Sequence, residues 1–151
     1  MRLIEKAFHA ANEDLKLDWD EISGSHSNPL ILDCYECVDD LGISGDHLKD
    51  IDDSEIPWCS CYMNKKIQDA GGKGTRSGMA RSWMHWGNPS NGKKGDIAVL
   101  SRGNGMGHVA MVVEICEENH TIKLLGGNQG NTVSIHTFPL SRVLGYRTSK
   151  D

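Results

Sequence analysis

The apolar positions of this chain follow two periods, one in each half. Over residues 2–17 they recur at Leu3, Ile4, Ala7, Ala10, Ala11 and Leu15, the spacing of a helix that buries one stripe, so a first helix is expected there. Gly24-Ser25-His26-Ser27-Asn28-Pro29 breaks the chain. Asn28 can then cap a second helix opened by Pro29, with Leu30, Ile31, Cys34, Val38 and Leu41 facing inward and Gly42 as its stop. The polar, acid-rich residues 44–55 read as a loop. From Trp58 onward, Cys59, Met63, Ile67 and Ala70 mark a third helix that ends at Gly71-Gly72, which places Cys59 in its first turn. Met79 to Trp86 is a shorter helical stretch, and Gly87-Asn88-Pro89-Ser90-Asn91-Gly92 is a dense turn signal. Beyond it the period falls to two. Residues 96–100, 107–115, 121–125, 133–137 and 143–147 are short runs rich in Val, Ile and Thr, separated by Gly, Asn or Pro, and they predict an antiparallel meander. Helices first and strands after describe one α+β domain over residues 1–151, its N-terminal helices packed on a C-terminal sheet, with no internal repeat, linker or second domain.

The chemistry worth placing on that frame begins with Cys59. A thiol attacks as thiolate, and at its reference pKa of about 8.5 only a few per cent is ionised at neutral pH. A helix N-terminus and a nearby imidazolium both favour the thiolate. Cys59 has the first by position. His108 is the candidate for the second, because it opens the apolar run Gly107-His108-Val109-Ala110-Met111 behind the glycine-rich Gly103-Asn104-Gly105-Met106-Gly107. An imidazole needs a partner on its other nitrogen, and Asn128, in Gly126-Gly127-Asn128-Gln129 at the end of the adjoining strand, can supply a carbonyl oxygen. Gln129 is the weaker choice on strand parity, since successive side chains face opposite ways. The backbone N–H of Cys59 is one oxyanion donor, and the side chain that completes the hole is not identified. Trp58, Trp83 and Trp86 either line the cleft or belong to the core. Cys61 points roughly 200° away from Cys59 on a helix and reads as core. Cys34-x-x-Cys37 with Cys59 and Cys61 is a poor zinc set, because C-x-C opening a helix is not a knuckle. The other histidines read as surface or packing residues, with His26 and His85 the alternatives for a place in the cleft.

Composition narrows the function classes. The chain has 151 residues, 38% hydrophobic and 25% charged, which suits one globular domain. Its formal net charge of −5, with acids concentrated between Glu13 and Glu55, gives no basic face for nucleic acid. No segment approaches the ~20 apolar residues of a membrane span, and the N-terminus lacks the apolar core of a secretory signal. The chain is therefore expected to be made in the cytosol and to be exported, if at all, by another route. Five cysteines leave at least one thiol free in a single chain.

Taken together, Pro57-Trp58-Cys59-Ser60, Ala80-Arg81-Ser82-Trp83 with Trp86-Gly87, Gly95-Asp96-Ile97, Gly107-His108-Val109, Gly126-Gly127-Asn128-Gln129 and Leu144-Gly145-Tyr146-Arg147 resemble a phage-associated branch of the CHAP and NlpC-type peptidoglycan hydrolases. The resemblance spans nearly the whole chain. It implies a circularly rearranged papain-like α+β fold and a Cys-His-polar triad that cleaves amide bonds within wall peptides or between peptide and sugar. Carried over by position, the triad is Cys59, His108 and Asn128. Many CHAP members place an acidic residue shortly before the asparagine on that strand, at the position where this chain has Gly126, so the third role rests on Asn128. Some bind calcium near the N-terminus, but Asp46, Asp50, Asp52 and Asp53 do not form a regular Asp-x-Asp-x-Asp-Gly loop, and neither metal nor cofactor is expected. The implied partner is bacterial peptidoglycan, met by a monomer with no membrane insertion. A phage lysin fits, held in the host cytoplasm until a pore releases it to the periplasm and cell wall. The alternatives are a secreted antibacterial amidase effector with an immunity partner and a catalytically silent wall-binding module, the latter disfavoured by the intact Cys59 and His108.

Overall fold

Helices occupy the first half of the chain and strands the second, in the papain-like α+β arrangement expected. The structure, a computed structural model, describes residues 1–21, 28–41, 58–103 and 105–151. Helix α1 (Leu3–Asp14) buries Ile4, Ala7, Ala11 and Asp14, one stripe at spacings of three and four. Helix α2 (Pro29–Tyr35) starts as its sequence requires, with Pro29 in the first turn and Asn28 Oδ1 accepting the Leu30 N–H at 3.0 Å. It stops at Tyr35 rather than reaching Leu41. The chain is pulled out of helical register by outside partners: the Asp39 N–H donates to Arg76 O, the Arg76 guanidinium grips the Asp39 carboxylate at 2.7 and 2.8 Å, and Asp40 accepts the Gly78 N–H at 2.7 Å. Gly42 and the expected loop over 44–55 lie outside the described residues.

Helix α3 (Cys59–Asp69) ends where the double glycine predicts. The Gly71 and Gly72 amides donate to Gln68 O and Ile67 O, and Gly71 takes φ +97°, a left-handed conformation that suits glycine. Almost all of α3 is buried between the other helices and the sheet. Its apolar members Met63 and Ile67 each contribute about 1.5–3 kcal/mol through burial. Its polar members survive there because each is satisfied. Ser60 Oγ donates to Ser77 O and accepts the Trp83 indole N–H, Asn64 bridges Ser60 O and the Arg76 N–H, and Lys66 Nζ meets Asp14 at 2.7 Å while the Tyr62 hydroxyl donates to the same carboxylate. The stretch expected around Met79 to Trp86 forms a 3₁₀ helix over Ala80–His85.

The strands are β1 (Asn88–Pro89), β2 (Ile97–Gly103), β3 (Met106–Cys116), β4 (Thr121–Gly126), β5 (Ser134–Pro139) and β6 (Val143–Thr148). They form one sheet in the order β1-β6-β2-β3-β4-β5, with every neighbouring pair antiparallel. Strands β2 to β5 are the expected meander, but β6 crosses to the far side of β2. In a flat sheet β5 and β6 would then lie about 19 Å apart, four strand spacings, while the Leu140–Arg142 link spans at most ~14 Å. The sheet must curl. Inside the curl Ala98, Leu100, Ala110, Val112, Ile122 and Leu124 pack with Phe138, Leu140, Val143 and Tyr146. The alternate residues Ile97, Val99, Val109, Met111 and Leu125 face the helices, so both faces of the central strands are dry. Among the described residues no helix is long and apolar enough to cross a membrane.

Candidate active site

The start of α3 and the start of β3 meet at one end of the sheet, and they carry Cys59 and His108 respectively. Cys59 is the first residue of α3, and Trp58 before it supplies no side-chain cap, so the first amides are left without such an acceptor. The N–H groups of Cys59, Ser60 and Val109 all favour the Cys59 thiolate by hydrogen bonding, and Val109 is the residue after His108. Trp58 fixes this helix start. Its indole N–H donates to Glu21 at 3.0 Å, its ring stacks on Trp19 with centroids 6.1 Å apart, and Gly127 lies so close that a Cβ there would sit 2.7 Å from the ring. Trp58 and Trp83 are fully buried and Trp86 is half-buried with its N–H on Lys73 O, so these tryptophans are packing residues.

His108 stands opposite Leu100 on β2 and is 3% exposed, its ring 5.4 Å from that of Phe138. Its Nε2 meets Gln129 Oε1 at 2.8 Å. Gln129 Nε2 in turn donates to Leu124 O at 3.0 Å and to Ser134 O at 2.8 Å. With both amide protons spent on carbonyls, the oxygen of Gln129 faces the ring, so the imidazole donates from Nε2 and keeps its basic lone pair on Nδ1.

The side chain against His108 thus comes from Gln129 and not from Asn128. Asn128 is half-buried beside the same cavity and makes no hydrogen bond to the imidazole. Strand parity fails here because β4 has already ended at Gly126 and Asn128 sits in a left-handed turn at φ +57°. The loop swings Gln129 back beneath the ring and is held by the Gln129 N–H on Thr132 O and the Ser134 hydroxyl on Gln129 O. Gly126 makes room for this. A Cβ at 126 would lie 2.7 Å from Ala110 Cβ and 3.2 Å from Gln129 Oε1, so the amide occupies the space a larger residue at 126 would fill. The signal available in the sequence was the glycine pair followed by two polar residues, which marks a turn rather than a continuing strand.

Burial dominates the electrostatics. It raises the Cys59 thiol pKa, against the lowering effect of the backbone amides and the Arg102 charge. It lowers His108 to about 4, with the Gln129 hydrogen bond opposing and the Arg102 and Arg142 charges adding to the fall. Both groups are therefore neutral at neutral pH. No hydrogen bond joins them in this structure, and they line adjoining cavities. The larger, about 390 Å³, is walled by Cys59 with Leu41, Met79, Ala80, Arg81 and Met106, and the smaller, about 150 Å³, by His108 with Gln129, Asn128, His136 and Arg142. Arg102 borders both. A neutral thiol and a neutral imidazole with a free Nδ1 are the protonation states from which one proton could pass from sulfur to nitrogen.

Among the remaining candidates, His26 lies outside the described residues and His85 is exposed at the end of its 3₁₀ helix. Cys34 and Cys37 donate back to the carbonyls of Leu30 and Asp33, Cys61 is buried in the core, and burial raises all three thiols. Among the described residues no three His, Cys, Asp or Glu side chains converge where they could hold a metal, and Asp46, Asp50, Asp52 and Asp53 lie outside those residues.

Comparison with curated proteins and with solved structures returns no match. Comparison with protein families returns one, the CHAP domain, over residues 51–128, which is just over half of the chain and holds both Cys59 and His108.

Proposed function

The chain belongs to the CHAP domain family, and we propose that it is a peptidoglycan hydrolase that cleaves an amide bond of bacterial wall peptides through Cys59. Family membership supports a cysteine hydrolase of the cell-wall class. The observation that carries the finer reading is the His108–Gln129 contact, because it fixes the imidazole with Nδ1 as the free base at the strand that donates to the Cys59 sulfur.

In the proposed reaction Nδ1 of His108 takes the Cys59 proton as the sulfur bonds to the scissile carbonyl carbon. The negative charge that develops on the carbonyl oxygen is received by the N–H of Cys59 at the open start of α3. Collapse of the tetrahedral species breaks the C–N bond, and the amine leaves with the proton that Nδ1 returns. The resulting thioester is attacked by a water that gives its proton to the same nitrogen, which releases the carboxylic acid and restores the thiol. Gln129 acts through His108 as a positioning residue. Asn128, which the sequence pattern favours for that role, borders the small cavity instead. In this reading the enzyme is made in the host cytoplasm and meets its polymer after release to the wall.

Mass spectrometry of fragments released from purified peptidoglycan tests the reading. New amine and carboxyl termini from one amide bond are expected, while cleavage of the glycan backbone, or no release by folded protein, would overturn it.

A further inference from the structure

Strand β2 carries one more residue than its partner at the mouth of the site. Ser101 pairs with Gly107 and Gly103 with Met106, so Arg102 stands unpaired in a bulge, with Gly103 beyond it at φ +84°. Bulges redirect side chains next to active sites. Here the redirected residue is the one that borders both the cavity of Cys59 and the cavity of His108.

Three guanidinium groups surround these cavities, and two are committed. Arg81 donates twice to Met106 O, at 3.1 and 3.0 Å, and to the Ser101 hydroxyl. Arg142 donates to Ser101 O and lies 5.3 Å over the Phe138 ring. Arg102 is exposed, and among the described residues no carboxylate or carbonyl pairs with it. Among the described residues the acid bordering the larger cavity is Asp40, and it is already held by the Ser77 hydroxyl and the Gly78 N–H. Among the described residues the rest of that cavity's wall is largely apolar, with Met79 and Met106 62% and 57% exposed. An apolar slot beside the nucleophile with one uncommitted guanidinium at its junction suits a peptide that has a small apolar residue and a free carboxylate close to the scissile amide. A planar guanidinium pairs with a carboxylate through two parallel hydrogen bonds, a geometry that a neutral carboxamide cannot match.

We propose that Arg102 is the specificity-determining residue of the site and binds a free substrate carboxylate within about one residue of the bond that is cut. This rests on the hydrolase reading above and extends it to the substrate class, an acidic rather than an amidated wall peptide.

The test uses wall peptides in two forms, as isolated and after their carboxylates are converted to carboxamides with carbodiimide and ammonia. The kcat/KM ratio between the two is measured for the wild type, Arg102→Gln and Arg102→Lys, with melting temperature as a check on folding. The wild type should favour the free acid by about 10- to 100-fold, the value of a charge-assisted hydrogen-bonded pair. In Arg102→Gln the ratio should fall to within about threefold of one, chiefly through KM for the acid, and Arg102→Lys should lie between. Equal cleavage of both forms by the wild type overturns the inference and leaves the hydrolase reading standing. A ratio unchanged in Arg102→Gln, or a loss shared equally by both substrates, also overturns it. Cleavage of neither form by the wild type overturns both.

Discussion

Replacing Gln129 by Ala removes three hydrogen bonds at once, and the size of the effect can be worked from them. The lost contacts are Nε2 to Leu124 O, Nε2 to Ser134 O, and Oε1 to His108 Nε2. At a residue 2% exposed, water does not readily replace them. Each polar group left unpaired in a buried place costs about 1–3 kcal/mol, so a total of about 2–5 kcal/mol is expected once relaxation of the loop is allowed for. For a chain of this length each kcal/mol lowers the melting temperature by roughly 2–4 °C, which gives a fall of about 5–15 °C. Catalysis should fall separately. Without the amide oxygen the imidazole is free to turn or to place its proton on Nδ1, and a loss of roughly 10- to 1,000-fold in kcat/KM follows, measured well below the new melting temperature. The control is Asn128→Gly, which deletes the neighbouring side chain while keeping a residue at ease at φ +57°. It should keep kcat/KM within about threefold of wild type. Nitrogen NMR of the His108 ring supplies a readout that mere destabilisation would not move: Nε2-protonated in the wild type and mixed in Gln129→Ala. Wild-type kcat/KM in Gln129→Ala, or a larger loss in Asn128→Gly, would refute the assignment.

Acid should destabilise the fold through His108. Burial holds its folded pKa at about 4, below the unfolded value of roughly 6.5, so the unfolded chain takes up the proton first and stability present at neutral pH is lost as the pH falls from about 6.5 toward 4. The loss attributable to this residue is up to about 3 kcal/mol, read as the part of the urea-midpoint change between pH 7 and 4.5 that disappears in His108→Gln. By the same cause the acid limb of kcat/KM should lie below the usual histidine range, and a limb at or above pH 6.5 would contradict it. Lys66→Met should cost about 3–5 kcal/mol, because it strands the Asp14 carboxylate in a buried site with only the Tyr62 hydroxyl, and urea denaturation measures it. Gly126→Ala should cost activity out of proportion to stability, since its methyl would press on Ala110 and on the oxygen of Gln129; equal kcat/KM would show that the loop accommodates it freely.

Much of the fold is legible in the order of periods along the chain. The stripe of α1, the Asn28-Pro29 start of α2 and the glycine stop of α3 are local signals, set by interactions a few residues long. What escaped was decided by distant partners. Helix α2 is cut short by Arg76 and Gly78, far along the sequence, and the crossing of β6 to β2 depends on the curl of a whole sheet. The buried state of α3 is likewise hidden, because Ser60, Asn64 and Lys66 look like a solvated face until their internal partners are known. At the site, Cys59 and His108 follow from a helix start and a strand start. The hydrogen-bond partner of the His108 ring lies one position beyond the expected Asn128, because alternation was counted past the point where Asn128 turns the chain.

The central claim is that Cys59 forms the bond to substrate, and a folded Cys59→Ala protein tests it most directly. Because Cys59 is 3% exposed and small, alanine should leave the circular dichroism and the melting temperature close to wild type. Release of peptide fragments from purified peptidoglycan should nevertheless fall by on the order of 10⁴ or more. Release at near wild-type rate by the folded variant would contradict the account.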